Sequence, residues 1–120
     1  MTSISFLGVH TRAFAAMRRL YAEGYGLPVL REAPGAVWYA LADRAELHLY
    51  AEADSYHEFF GRAPVPGLLV DDYHATVDRL SRQGVEWLTE PDSAAGRVWR
   101  HYRGPDGNVY EVMGRLGDEE

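Results

Sequence analysis

The chain has 120 residues, a length typical of one domain; 47% of them are hydrophobic and 25% are charged, as in ordinary globular proteins. Its net charge of −6 at pH 7 argues against a nucleic-acid-binding surface, because such surfaces carry basic patches. It has no cysteine, which excludes disulfides, zinc–thiolate sites and cysteine nucleophiles.

The N-terminal stretch 1–14 has no basic segment leading into an apolar run, so we expect no signal peptide. No segment approaches the ~18 consecutive apolar residues that a membrane-spanning helix needs. The lack of cysteine is also typical of a reducing compartment. We therefore expect a cytoplasmic protein without a membrane or nucleic-acid partner.

The first half of the chain predicts one helix and four strands. The apolar run Ile4–His10 predicts a strand, after which the Thr11 hydroxyl can cap a helix. Apolar residues at helical spacing run from Phe14 to Tyr21, and the helix should end at Gly24. Three further strands, separated by turn-forming residues, are predicted at Val29–Glu32, Val37–Leu41 and Ala45–Tyr50.

The second half repeats this order of elements. Val65–Val70 predicts a strand, and Asp71 or Asp72 can cap a helix that ends at Gly84. Three more strands are predicted at Val85–Thr89, Val98–Arg103 and Asn108–Met113. The repeated order indicates a duplicated βαβββ unit within a single domain, 1–120. We expect module 1 over about 4–50, a linker over about 51–64, module 2 over about 65–114 and an acidic tail over 115–120.

Strand alternation selects the side chains that share a face of the last strand in each half. Glu46, His48 and Tyr50 lie on one face of the first of these strands, opposite two leucines that should pack against a helix. Glu111 and Met113 share a face of the second strand. Each half thus offers a glutamate at an equivalent position.

Two interpretations of this pair of glutamates stay open. Most strand glutamates face water, and both could do so here. If Glu46 and Glu111 instead approach each other without a cation, repulsion and burial raise the pKa of at least one of them. With a cation between them, both stay ionised and act as ligands.

The turn Gly104-Pro105-Asp106-Gly107-Asn108, followed by a strand that carries Glu111, resembles the closing hairpin of the glyoxalase/bleomycin resistance protein/dioxygenase (vicinal oxygen chelate) superfamily. The stretch Leu20–Pro28 is similar to the first helix of that family and its exit, and Gly67–Asp72 to the start of its second module. The resemblance covers about residues 4–114. It implies an α+β fold in which two βαβββ modules form U-shaped sheets around a cavity.

The resemblance also bears on metal binding. In metal-dependent members, four residues supply the ligands, one from the first and one from the last strand of each half. The last-strand positions match Glu46 and Glu111, whereas the first-strand positions hold Phe6 and Val65, which cannot bind a metal. The resemblance therefore favours a protein with no cofactor, and a divalent metal held by the two glutamates is the alternative.

Our first hypothesis is a metal-independent binding protein that holds a small aromatic or cationic ligand in the cavity. Tryptophans and tyrosines in the predicted strands either pack the core or stack on such a ligand. The residues expected to contact the ligand, besides the two glutamates, are His48, Tyr50, Trp99, His101 and Met113.

Two enzymatic alternatives remain. In one, Glu46 and Glu111 are the catalytic residues and metal ligands of a divalent-metal-dependent lyase, isomerase or dioxygenase. In the other, one glutamate is the general base of a metal-free enzyme. Members of the family are commonly dimers, and the aromatic stretch 56–60 could expose an apolar patch, so we expect a homodimer.

Overall fold

The structure is a computed structural model that describes residues 1–117. The chain divides into two compact units. We call residues 5–65 the first unit, and residues 1–4 together with the chain from Pro66 onward the second unit.

The first unit contains one βαβββ module, apart from the first two residues of β1, and it also includes the first residue of β5. Its sheet has the strand order β2-β3-β4-β1, in which β1 and β4 are parallel and the other pairs are antiparallel. The elements are β1 (Ser3–Thr11), α1 (Phe14–Arg19), a π-helical turn (Leu20–Gly24), β2 (Val29–Ala33), β3 (Ala36–Ala40), a 3-10 turn (Ala42–Arg44), β4 (Glu46–Ala51) and a 3-10 helix (Ser55–Phe60).

The second unit repeats the module with one extra short strand. Its strands run in the order β5-β9-β8-β6, with β7 paired to β8. As in the first unit, the first and last strands, β5 and β9, are parallel. The elements are β5 (Val65–Leu69), α2 (Tyr73–Arg82), β6 (Glu86–Trp87), β7 (Asp92–Ala94), β8 (Arg97–Arg103) and β9 (Val109–Arg115). The α+β fold of two βαβββ modules, predicted from the sequence, is thus confirmed.

Each helix packs on one face of the sheet in its own unit, because apolar residues alternate along the strands. In the first unit, Leu47 and Leu49 of β4 are buried in a core that includes Phe14 and Met17 of α1. In the second unit, Val112 of β9 packs in the core under α2. The strand residues that alternate with the core residues point away from the helices. Every candidate site residue belongs to this second set.

Two helix starts were predicted from capping residues, and one prediction is wrong. Asp72 caps α2, because its side chain accepts a hydrogen bond from the amide of Ala75 at 3.0 Å. Thr11 does not cap α1: its hydroxyl accepts from the amide of Ala13 at 3.0 Å, and Ala13 itself is the N-cap. The chain needs two more residues to turn from β1 into the helix, so Thr11 stabilises that turn instead.

The predicted strand Val85–Thr89 is shorter in the structure, where β6 covers only Glu86–Trp87. The unpredicted β7 follows it. Its turn into β8 uses Ala95 and Gly96 at φ values of 51° and 78°, a left-handed geometry typical of tight hairpins. The composition of β7, Asp-Ser-Ala, is unfavourable for strands, which is why the pattern did not reveal it.

The boundaries of the linker and the tail also change. The stretch 56–60 is not an exposed apolar patch: Phe60 is buried, and only Tyr56 and Glu58 of the five residues are exposed. β9 continues through Arg115, so the predicted acidic tail does not begin there; its last three residues, 118–120, lie outside the described part. Within residues 1–117, no helix is long and apolar enough to cross a membrane.

Candidate functional site

The face of β4 that points away from α1 carries the three polar residues selected from the sequence. The His48 ring bonds through Nε2 to Oε1 of Glu46 at 2.8 Å and through Nδ1 to the hydroxyl of Tyr50 at 3.0 Å. Residues two apart on a strand project from the same face, which is why this Glu-x-His-x-Tyr spacing forms a continuous hydrogen-bonded chain.

Burial controls the charge of the histidine in this chain. The side chain of His48 is only 19% exposed, and this desolvation lowers its pKa, although the hydrogen bond that His48 donates to Glu46 acts in the opposite direction. A neutral imidazole has one donor and one acceptor nitrogen. His48 therefore links a carboxylate on one side to a hydroxyl on the other.

Aromatic rings surround His48. Phe6 of β1 meets the imidazole edge-on at 4.8 Å, and Trp38 of β3 lies 5.9 Å away. The guanidinium of Arg31 stacks over the Trp38 ring at 4.2 Å from its centroid. The protein's own arginine thus occupies one face of this tryptophan, the position that a cationic ligand would take.

The second unit brings together the other four site residues. Adjacent strands β8 and β9 pair His101 with Glu111 and Trp99 with Met113, so all four side chains project from the face opposite α2. Nη1 of Arg97 lies 3.2 Å from the Met113 sulfur. The arrangement is a carboxyl and an imidazole, with a tryptophan and a methionine next to them.

Glu111 is the most unusual residue on this face. It is only 3% exposed, and burial raises its pKa from 4.5 to about 8. The Nε2 atom of His101 lies 3.5 Å from Oε1 of Glu111, longer than a charge-assisted hydrogen bond. Oε2 of Glu111 has no hydrogen-bond partner within residues 1–117. The carboxyl is therefore protonated at neutral pH and retains unused hydrogen-bonding capacity.

The strand register corrects one of the two first-strand positions. β1 places Phe6 opposite Glu46, as expected. β5, however, places Gly67 opposite Glu111, two residues after the Val65 chosen from the sequence. None of these first-strand residues has a side chain that can bind a metal.

The grouping of histidine and carboxylate side chains determines whether the site can hold a metal ion. Within residues 1–117, no group of three or more histidine, aspartate or glutamate side chains is arranged to hold a metal ion. The Glu46–His48 pair and the Glu111–His101 pair each supply only two such groups. The chemistry of these donor sets does not fit a tightly bound divalent ion, which usually takes more ligands than two.

The tryptophans fall into two groups. Trp87 resembles Trp38, because the guanidinium of Arg100 lies 4.3 Å from its ring centroid. Trp99 has no guanidinium over its ring in the described part of the chain. Trp99 thus has no arginine that competes with a ligand for its ring, and it lies on the Glu111 face.

A further pair of residues near the Glu46 face was not selected from the sequence. His57 of the 3-10 helix stacks on the Tyr50 ring at 3.7 Å, with an angle of 10° between the ring planes. Its Nδ1 lies 2.9 Å from Oδ2 of Asp54, which caps that helix. The Asp-x-x-His spacing at the start of the helix is the sequence signal that could have revealed the pair.

The family follows from comparison with known proteins. The model of the Glyoxalase/Bleomycin resistance protein/Dioxygenase superfamily matches residues 3–112. The chain belongs to this superfamily. Comparison with curated protein sequences gives no match.

Several solved structures show the same fold. The Mn(II)-bound glyoxalase from Novosphingobium aromaticivorans matches with a TM-score of 0.73 and 20% identity, over 92% of this chain and 38% of that one. A superfamily member from Vibrio splendidus 12B01 matches with a TM-score of 0.69 and 15% identity, over 95% and 99% of the two chains. Methylmalonyl-CoA epimerase from Mycobacterium tuberculosis matches with a TM-score of 0.64 and 19% identity, over 94% and 87%. At these identities the likeness shows the fold alone.

Proposed function

We propose that this superfamily member binds a small, planar organic molecule on the β8–β9 face and needs no metal ion to do so. The ligand hydrogen-bonds to Glu111 and stacks on Trp99, while His101 and Met113 complete the surface. Pockets for small molecules are typically apolar and aromatic, with a few polar groups that fix the orientation of the ligand. The β8–β9 face has this composition.

The observation that carries the proposal is the buried carboxyl of Glu111. Burying a polar group without a full set of hydrogen bonds costs about 1–3 kcal/mol, so proteins seldom do it without a functional reason. Glu111 is 3% exposed, and its Oε2 has no hydrogen-bond partner within residues 1–117. A ligand that accepts a hydrogen bond from the protonated carboxyl removes this cost.

The same geometry narrows the ligand class from the aromatic or cationic molecule expected initially. Because the pKa of Glu111 is raised to about 8, the carboxyl is neutral at pH 7 and offers no negative charge to a cation. Arginines already stack on Trp38 and Trp87. A neutral aromatic molecule with a hydrogen-bond acceptor, such as an aryl ketone, therefore suits the β8–β9 face better than a cation.

The test uses three fluorinated probes of similar size and different charge: 4′-fluoroacetophenone, 4-fluorobenzylamine and 4-fluorobenzoate. Fluorine NMR measures their binding to protein dialysed against EDTA. We expect the neutral ketone to bind through Glu111, so Glu111→Leu abolishes its binding and Glu111→Gln, which still donates a hydrogen bond, retains it. Glu58→Gln, at an exposed position, is the control. Equal binding of the ketone by Glu111→Leu would refute the proposal.

The alternative is a divalent-metal-dependent lyase, isomerase or dioxygenase that uses Glu46 and Glu111. The occurrence of an Mn(II)-bound glyoxalase among proteins of this fold favours it. The pairing of each glutamate with a residue that cannot bind a metal, Phe6 and Gly67, counts against it. Elemental analysis, after incubation with Mn²⁺, Ni²⁺, Zn²⁺, Fe²⁺ or Mg²⁺ and desalting, measures whether the protein retains a metal ion. Retention of about one ion per chain, lost in Glu46→Gln and in Glu111→Gln, would establish the alternative.

We also propose that the protein is a homodimer located in the cytoplasm. The frequency of dimers in the superfamily supports the first proposal, and the absence of cysteine supports the second. Sedimentation equilibrium distinguishes a dimer of 27 kDa, twice the chain mass of 13.5 kDa, from a monomer. Cell fractionation of the native source tests the location.

A further inference from the structure

Three aromatic rings surround the imidazole of His57 in the first unit. The imidazole stacks on Tyr50 with 3.7 Å between the ring centroids. Tyr56 and Phe60 meet it edge-to-face, with their centroids 4.8 Å and 5.2 Å away. Phe60 is itself buried beside Gly8, where an added Cβ would lie 2.5 Å from the Phe60 ring. These contacts hold the imidazole in one place relative to β4.

Asp54 sets the orientation of this ring and the position of its proton. Its Oδ1 accepts a hydrogen bond from the backbone amide of His57 at 3.2 Å, and its Oδ2 accepts one from Nδ1 of His57 at 2.9 Å. Burial acts to raise the pKa of Asp54, but its bonds with His57 outweigh burial and lower this pKa. Asp54 is therefore an ionised carboxylate, which can only accept. In the neutral His57 ring, the proton is consequently on Nδ1.

The other ring nitrogen of His57, Nε2, is left with an accessible lone pair. It has no hydrogen-bond partner within residues 1–117, and it is not sealed off from solvent, since the His57 side chain is 20% exposed. The helix cap needs only the bond between Oδ1 of Asp54 and the amide of His57. The second bond, to Nδ1, adds nothing to the cap, but a carboxylate in this position fixes the tautomer and makes the opposite nitrogen a stronger acceptor.

An exposed aromatic ring lies next to this acceptor. Tyr56 is 72% exposed, although the edge of its ring contacts His57. An aromatic side chain offers a large apolar surface on which a second ring can pack. The negative charge of Asp54 on the far side of the imidazole disfavours an anionic ligand. The surroundings of Nε2 therefore suit a neutral aromatic molecule that carries a hydrogen-bond donor, and a phenol has both features.

We infer that His57 binds a phenol, whose hydroxyl donates a hydrogen bond to Nε2 and whose ring packs against Tyr56. Asp54 is a positioning residue in this site, because it acts on the ligand only through the orientation and tautomer of His57. The site goes beyond the proposed function, since it belongs to the first unit and binds a hydrogen-bond donor. It does not require Glu111 to bind anything.

The first test compares 4-fluorophenol with 4-fluoroanisole, which has the same ring and no hydroxyl donor, by fluorine NMR. We expect the wild type to bind the phenol about tenfold more tightly than the anisole, a factor that corresponds to one hydrogen bond. His57→Phe keeps a ring on Tyr50 and should lose this preference, whereas Glu58→Gln, on the same helix, should keep it. Absence of phenol binding by the wild type, or an equal preference in His57→Phe, overturns the inference. Glu111→Leu should leave phenol binding unchanged, so failure here is distinct from failure of the proposed function.

The second test locates the hydrogen bond with two-bond ¹H–¹⁵N correlation spectra of the full chain, in which His57→Phe assigns the His57 signals. At a pH at which these spectra show a neutral ring, we expect the proton on Nδ1 alone and a shift of the Nε2 signal when 4-fluorophenol is added. Asp54→Asn keeps an oxygen for the cap, but its amide donates to Nδ1, so the proton should move to Nε2 and the preference for the phenol over 4-fluoroanisole should disappear. A wild-type ring with its proton on Nε2, or an Nε2 signal that does not respond to the phenol, overturns the inference.

Discussion

Replacing Glu111 with glutamine should make the folded protein more stable at neutral pH. Glutamine has the shape of the protonated carboxyl and cannot ionise. In the wild type, the pKa of Glu111 is about 8 in the folded state, against 4.5 for the ordinary group, and each pKa unit corresponds to about 1.36 kcal/mol. Above pH 4.5 the unfolded chain loses this proton while the folded chain keeps it, so the free energy of unfolding falls as the pH rises and levels off above about pH 8.

Relative to low pH, where Glu111 is protonated in both states, its ionisation in the unfolded chain lowers the free energy of unfolding by about 3 kcal/mol at pH 7. Between pH 5 and pH 8 the free energy of unfolding falls by about 3.5 kcal/mol. Urea unfolding of wild type, Glu111→Gln and Glu58→Gln at several pH values in that range measures it. Glu111→Gln should lack this decrease, whereas the exposed Glu58→Gln should keep it. Parallel curves for the wild type and Glu111→Gln would show that Glu111 ionises normally, and would refute the reasoning.

Three further predictions concern stability and are checked by thermal or urea unfolding. Tyr39 is fully buried, and its hydroxyl has no hydrogen-bond partner within residues 1–117. Tyr39→Phe should therefore leave the free energy of unfolding unchanged or raise it by about 1 kcal/mol. A decrease of about 1 kcal/mol would contradict this, because it would mean that the hydroxyl makes a stabilising hydrogen bond. Gly8→Ala should destabilise by about 1–3 kcal/mol, because its Cβ would overlap the Phe60 ring, and Phe60→Leu should relieve part of this loss. Asp72→Ala removes the cap of α2 and should cost about 1 kcal/mol, whereas Asp72→Asn should cost less.

The fold could be predicted because each module repeats strong local signals. The turn that contains Pro105 and Gly107 precedes β9, and Gly84, at a φ of 81°, ends the stretch that contains α2. Such residues act through their own backbone geometry, so their effect can be read from the sequence. Alternation along β4 likewise identified Glu46 and His48 as neighbours on one face, because a strand permits only two faces.

The details that sequence reasoning missed depend on contacts between distant residues. Whether Gly67 or Val65 lies opposite Glu111 is set by the register between two parallel strands, which no local pattern specifies. The stacking of Arg31 and Arg100 on tryptophans is equally non-local. The degree of burial of Glu111 belongs to the same class, because it results from everything packed around the strand.

The central claim is that the protonated carboxyl of Glu111 binds a small molecule without a metal ion, and ¹³C NMR tests it most directly. Protein labelled in its glutamate carboxyl groups, and dialysed against EDTA, is titrated with base alone and with saturating 4′-fluoroacetophenone, with Glu111→Gln used to assign the signal. We expect the Glu111 carboxyl to titrate with a pKa of about 8, and we expect this pKa to rise when the ketone accepts its hydrogen bond. A carboxyl that titrates near 4.5 and does not respond to the ketone would contradict it.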